Sequence, residues 1–170
     1  MRKLGIALVG CGAISRVHLE IIKKNESAEI ICLVENDNEK VKELLKEYNL
    51  EVISDYRQIL NREDIDIVHI TTPHYNHYEI ALEFIKHKKN LLIEKPLTLS
   101  VLEAEKLVEE TENNGVHSAI VYQNRLNKTS SYLKKLLEEK KYGEILGIKG
   151  ILAWDRRGEY YTGSEWKGTI

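Results

Sequence analysis

LGIALVGCGAIS, residues 4–15, is the stretch from which the rest of the chain is read. Leu4 to Val9 form an almost unbroken apolar run, which suits a strand buried on both faces of a parallel sheet. Gly10, Cys11, Gly12, Ala13, Ile14 and Ser15 follow in the pattern GxGxxS, close to the dinucleotide-binding fingerprint GxGxxG/A. Gly10 permits a tight bend. Gly12, without a Cβ, lets the backbone approach a pyrophosphate. A helix starting near Ala13 would aim its free N–H groups at that anion. A glycine turn serving geometry alone is the alternative. Context argues against it: a strand before, a helix after, and an acid about twenty residues on.

That acid is Glu35, at the end of a second apolar run from Glu29 to Val34. A carboxylate at this point of a dinucleotide-binding unit accepts from the adenosine ribose hydroxyls and repels a 2′-phosphate, so NAD is expected over NADP. Glu35, Asn36 and Asp37 also read as a turn, with Asp37 or Asn38 capping the helix pattern EKVKELLKEY. Both readings hold together, because only one of the three has to face the ribose.

The 170 residues suffice for one domain with a real core and are too few for two full ones. With 25 basic and 27 acidic residues the net charge is −2, which gives no electrostatic footprint for nucleic acid or an anionic membrane. No apolar run reaches the roughly 20 residues of a membrane span. The basic, apolar start resembles a signal peptide, but it is short and contains the fingerprint, so it reads as a strand. Cys11 and Cys32 are not spaced as metal ligands, and a cytoplasmic setting is expected, where a disulfide is rare.

Alternating strand and helix patterns predict an α/β fold, a doubly wound parallel sheet. Strands are predicted near 3–9, 29–34, 51–53, 66–71, 90–94 and 117–122, and helices near 13–24, 38–48, 56–61, 75–88 and 100–114. Gly115 reads as the residue that stops the last of these. Beyond residue 122 the pattern changes. SYLKKLLEEKKYG reads as an exposed helix and EILGIKGILAW as a long strand, followed by a polar, aromatic and glycine-rich tail. The division expected is a first domain over 1–122 and the beginning of a second over 123–170. One helix and one strand cannot bury their own apolar faces, so the tail must lean on the first domain, on another copy or on further residues. Pairing with another copy predicts a homo-oligomer.

Three further stretches, ITTPHYNH at 70–77, LLIEKPL at 91–97 and VYQNRLN at 121–127, complete a resemblance to the glucose–fructose oxidoreductase and inositol dehydrogenase (Gfo/Idh/MocA) family. The resemblance covers essentially the whole chain, with the EKP after the fifth strand its most specific signature. It implies a Rossmann domain followed by an open-faced α/β domain. It also implies hydride exchange between a nicotinamide and the carbinol of a sugar, polyol or sugar nucleotide.

Thr71, Thr72 and Pro73 follow a strand, at the carboxyl edge where open α/β sheets bind ligands. Pro73 stiffens the turn, and the threonine hydroxyls or backbone N–H groups can reach the cofactor. His74 stands where the family often has asparagine. His77 matches the family's histidine, while a histidine at a helix start also reads as structural. Lys95 is the expected catalytic residue, its ammonium donating to the substrate hydroxyl and stabilising alkoxide charge. Glu94 either orients Lys95 or touches the nicotinamide ribose. By the resemblance Gln123 lies near the nicotinamide, and Arg125 makes either an interdomain ion pair or a substrate contact. TGSEWKGT resembles the family's WRGT segment, which places Trp166 and Lys167 near the cofactor, with lysine where arginine is common. Beyond that segment the family carries Asp-x-x-x-His, whose histidine is the general base. These residues reach Ile170 first. The expectation is therefore an N-terminal portion of an NAD-dependent dehydrogenase, inactive alone. A non-catalytic NAD(P)-binding module, or a truncated product, is the alternative.

Overall fold

Six short apolar runs become strands: β1 Leu4–Val9, β2 Ala28–Val34, β3 Glu51–Ile53, β4 Ile67–Ile70, β5 Asn90–Ile93 and β6 Ser118–Ile120. The computed structural model describes residues 2–155 and 157–162. Every neighbouring pair of strands is parallel, in the order β3-β2-β1-β4-β5-β6. Parallel neighbours require long crossovers, and helices α1 Ser15–Lys23, α2 Asn38–Glu47, α3 His77–Lys86 and α4 Val101–Asn114 lie in them. The order reverses between β1 and β4, the arrangement of a doubly wound dinucleotide-binding sheet.

Side chains alternate across each strand, so β1 feeds two cores. On one face Ile6 and Leu8 pack with Leu19 and Ile22 of α1 and Leu44 of α2. On the other, Ala7 and Val9 join Val68, Ile70, Leu91 and Ile93, covered by Ile80, Ala81, Phe84 and Ile85 of α3 and Leu107 of α4. Phe84 is completely buried. Truncation to alanine would cost about 3–5 kcal/mol.

Helix ends follow local chemistry. Asp37 caps α2, accepting the N–H groups of Glu39 at 3.0 Å and Lys40 at 3.3 Å, and Ser100 caps α4 at Glu103. These two backbone donors hold the Asp37 carboxyl below the ordinary aspartate range. Gly115 ends α4 with φ of 66°. The expected helix at 56–61 is instead a 3-10 turn, Tyr56–Ile59, and a second one, His74–Asn76, precedes α3.

The chain divides into two units, Met1–Val121 and Tyr122–Ile170. The second holds a 3-10 turn Gln123–Leu126, helix α5 Lys128–Glu138 and a short helix α6 Gly158–Thr162. The run Glu144 to Trp154, expected as a strand, forms none. Its Leu146, Ile148 and Ile151 are 97%, 85% and 81% exposed. A strand is held by backbone hydrogen bonds to a neighbour, and this unit has no other strand among the described residues to supply them.

Candidate cofactor site

Strand register sets the candidate site. Val9 is level with Val34 on one side and with Ile70 on the other, and Ile70 is level with Ile93. The next residue of each strand, Glu35, Gly10, Thr71 and Glu94, therefore falls in one row at the carboxyl edge of the sheet. Backbone bonds continue across it: Gly10 N–H donates to Val34, Thr71 N–H to Val9 and Glu94 N–H to Ile70, at 2.8–2.9 Å.

Gly10 has φ of 91°, and a Cβ there would meet the Thr72 backbone nitrogen at 2.7 Å. Only glycine fits this bend. At Gly12 a Cβ would meet nothing within 4 Å, so the turn presents open backbone. Ala13 and Ile14 complete it, and α1 begins at Ser15, two residues later than expected. The Ser15 side chain is buried and its hydroxyl donates to the Gly12 carbonyl, which is how serine fits where the fingerprint has glycine or alanine. No side chain caps α1, and its first turn carries no acid, leaving its positive end for an anion.

Glu35 is 7% exposed. One carboxylate oxygen accepts the Cys11 N–H at 3.0 Å, and the other accepts those of Asn36 at 3.0 Å and Asp37 at 3.1 Å. The acid is thus tied to the glycine turn while Asp37 caps the helix, so the two roles fall on different residues. Burial, and then the Glu35 charge, push the Cys11 thiol up to about 12. A cleft beside this turn is lined by Gly12, Ala13, Arg16, Lys40 and Tyr48.

At the next strand end, the Thr71 hydroxyl faces the carbonyls of Val9 and Gly10, fastening β4 to the turn. Thr72 Oγ1 is buried without a hydrogen-bond partner among the described residues. Pro73 leads into the 3-10 turn. His77 is completely buried, and its Nδ1 and Nε2 stand 2.8 Å from the Pro96 carbonyl and 3.0 Å from the Thr72 carbonyl. Its ring holds the TTP and EKP loops together from inside. His74 packs edge-on against it, and burial followed by the His77 and Lys95 charges lowers its pKa.

Lys95 is exposed, and its bond to Pro96 is cis. Glu94 is 7% exposed and turned inward. Its Oε2 accepts the Lys95 N–H at 3.3 Å and its Oε1 stands 3.1 Å from His18 Nε2. His18 in turn meets His69, Nδ1 to Nδ1, at 3.0 Å. Helix and strand patterns by themselves do not bring these two histidines together, so the cluster is absent from the sequence reading above. The available signal was that His18 shares the buried face of α1 with Ser15, Leu19 and Ile22. Gln123 and Arg125 belong to the 3-10 turn of the second unit, where the Arg125 guanidinium lies over the Tyr122 ring. Trp166 and Lys167 lie outside the described residues.

These residues fit a dinucleotide. Gly12 leaves a cradle that a side chain would fill and, among the described residues, the helix end above it is uncapped and the buried Thr72 hydroxyl lacks a partner at the same edge. An unsatisfied buried polar group costs about 1–3 kcal/mol, which a polar ligand can recover.

Residues 4–122 match the family model described as an oxidoreductase family with an NAD-binding Rossmann fold. The chain is 27% identical over 146 residues to 2,7-anhydro-N-acetylneuraminate hydratase of Mediterraneibacter gnavus, covering 86% of this chain and 38% of that protein. It is 26% identical over 149 residues to glucose-6-phosphate 3-dehydrogenase of Bacillus subtilis, covering 88% and 41%. The WlbA dehydrogenase of Bordetella pertussis, solved in complex with NADH and UDP-GlcNAcA, matches with a TM-score of 0.94 at 27% identity, covering 99% of this chain and 51% of that one. The chain therefore spans about half or less of the length of these relatives. No helix among the described residues is long and apolar enough to cross a membrane.

Proposed function

The chain belongs to the Gfo/Idh/MocA oxidoreductase family, with its NAD-binding Rossmann fold, and we propose that it binds NAD in preference to NADP. We further propose that, in the whole protein, it serves hydride exchange with a secondary alcohol of a sugar, polyol or sugar nucleotide. The observation that carries this reading is the single row at the sheet edge that joins Glu35, the open glycine turn, the TTP loop and the EKP loop.

Each residue has a task that follows from its chemistry. The backbone of Gly10 to Ile14 and the start of α1 receive the pyrophosphate. Glu35 carries the charge that disfavours a 2′-phosphate at the adenosine end. Thr71, Thr72 and Pro73 shape the middle of the site, and His77 keeps that loop in register with the one carrying Lys95. When bound, the nicotinamide supplies hydride acceptance and return. The exposed Lys95 ammonium donates to the substrate hydroxyl and opposes the negative charge that develops there. A sugar-type substrate is supported by the relatives, whose names carry an anhydro-sugar acid, a sugar phosphate and a sugar nucleotide. A homo-oligomer is supported by the exposed apolar side chains of Leu146, Ile148 and Ile151, not by a strand edge.

Fluorescence titration of NADH and NADPH tests the cofactor assignment, and absence of binding to either at millimolar concentration refutes it. A screen of sugars, inositols and sugar nucleotides for NADH formation by the whole protein tests the reaction. There Lys95→Ala should lower kcat by about 10² or more. Unchanged turnover would remove Lys95 from the chemistry.

A further inference from the structure

Two histidines outside the glycine turn and the EKP loop join these segments through the interior. His18 lies on the buried side of α1, the helix that opens at the phosphate turn, His69 lies within β4, and Glu94 directly follows β5. The three residues are 8%, 7% and 7% exposed. His18 Nε2 is 3.1 Å from Glu94 Oε1, and His18 Nδ1 is 3.0 Å from His69 Nδ1. The other Glu94 oxygen accepts the Lys95 backbone N–H.

Counting hydrogens fixes the direction of this chain. A carboxylate only accepts, so His18 Nε2 carries a hydrogen and donates it to Glu94. The two facing Nδ1 atoms share one hydrogen, because two would collide and none would set lone pair against lone pair. Burial and the adjoining His18 push His69 down to about 4, so it is neutral at pH 7. Glu94 is thus gripped by α1 at one oxygen, and with the other it holds the backbone of Lys95. Without the His18 donor, a buried carboxylate oxygen would lack its partner and would turn toward water, releasing the Lys95 N–H.

We propose that His18 is a positioning residue for the Lys95 loop. Acting through Glu94 and held in orientation by His69, it locks the loop at the nicotinamide end to the helix at the pyrophosphate end. The ligand-binding consequence rests on the NAD reading above; the structural link does not.

The test has one arm without cofactor and one with it. In nitrogen-resolved imidazole spectra of the wild type, His18 Nε2 should carry a slowly exchanging hydrogen, and a bare Nε2 would overturn the proposal. His18→Asn keeps a polar contact toward His69 but is too short for Glu94. It should speed amide exchange at Lys95 about tenfold and leave Leu19 and Ile22 of α1 unchanged. His18→Gln, whose amide reaches further toward Glu94, should restore protection. In the second arm His18→Asn should weaken NADH about tenfold and leave ADP, which lacks the nicotinamide half, unaffected. Equal losses for both ligands, or no loss for either, would refute positioning. If the wild type binds neither ligand, the NAD reading fails, and the Lys95 exchange result alone decides the role of His18.

Discussion

The carboxylate of Glu35 accepts the backbone N–H of Cys11 at 3.0 Å, so the acid that follows β2 is tied directly to the glycine turn that follows β1. The same side chain accepts from Asn36 and Asp37, and its charge stays buried beside the turn. The acid therefore shapes the glycine turn as well as placing a carboxylate beside it.

NADH should accordingly bind at least about tenfold more tightly than NADPH, the equivalent of about 1.4 kcal/mol. Glu35→Gln removes the charge and should narrow that ratio. It also turns an amide donor toward backbone N–H groups, so it should lower stability by roughly 1–3 kcal/mol. Paired titrations and urea denaturation separate the two effects. Equal wild-type affinities for the two cofactors would discard the assignment of Glu35.

The two turn glycines should respond in opposite ways. A Cβ at Gly12 would meet nothing within 4 Å, so Gly12→Val should keep the melting temperature, while its branches occupy the cradle and abolish NADH binding. Gly10→Ala should destabilise the fold itself. Its φ of 91° costs an L-residue about 1–2 kcal/mol, and the 2.7 Å approach to Thr72 adds to that. Thermal unfolding and binding titration of both variants check the contrast.

His69 supplies a pH dependence with a definite sign. Its folded value of about 4 lies below the ordinary 6.5, so between these values the unfolded chain binds more protons. Stability therefore falls as pH drops through that window, by roughly 3 kcal/mol in all from this residue. His69→Leu should show a correspondingly shallower loss between pH 7 and pH 4 in urea denaturation. An identical pH profile for variant and wild type would contradict a buried neutral His69.

Neither cysteine should react in the native protein. Burial, with the Glu35 charge second, lifts the Cys11 thiol to about 12, and burial lifts Cys32 to about 11. The thiolate is the reactive form, so alkylation at pH 8 should be far slower than after unfolding in urea. Mass spectrometry of the two samples decides this, and rapid native labelling of Cys11 would mean the turn opens.

The sequence alone determined what depends on local pattern. Apolar runs of strand length, helical periodicity between them and the glycines at 10 and 12 set the element order. They also set the doubly wound sheet and the place of the turn, because the signals lie within a few residues of one another. Glu35 was legible at its spacing from the turn, and Asp37 as a cap. Tertiary structure decided where side chains point once strands distant in sequence stand side by side. His18 is 51 residues from His69 and 76 from Glu94, and only the fold that brings α1, β4 and the end of β5 together turns those residues into one hydrogen-bonded chain. His77 similarly became a buried brace between two loops. The run Glu144 to Trp154 makes the converse point. It has the composition of a strand, but strand formation is a property of a pair, and no partner strand is supplied within its unit among the described residues.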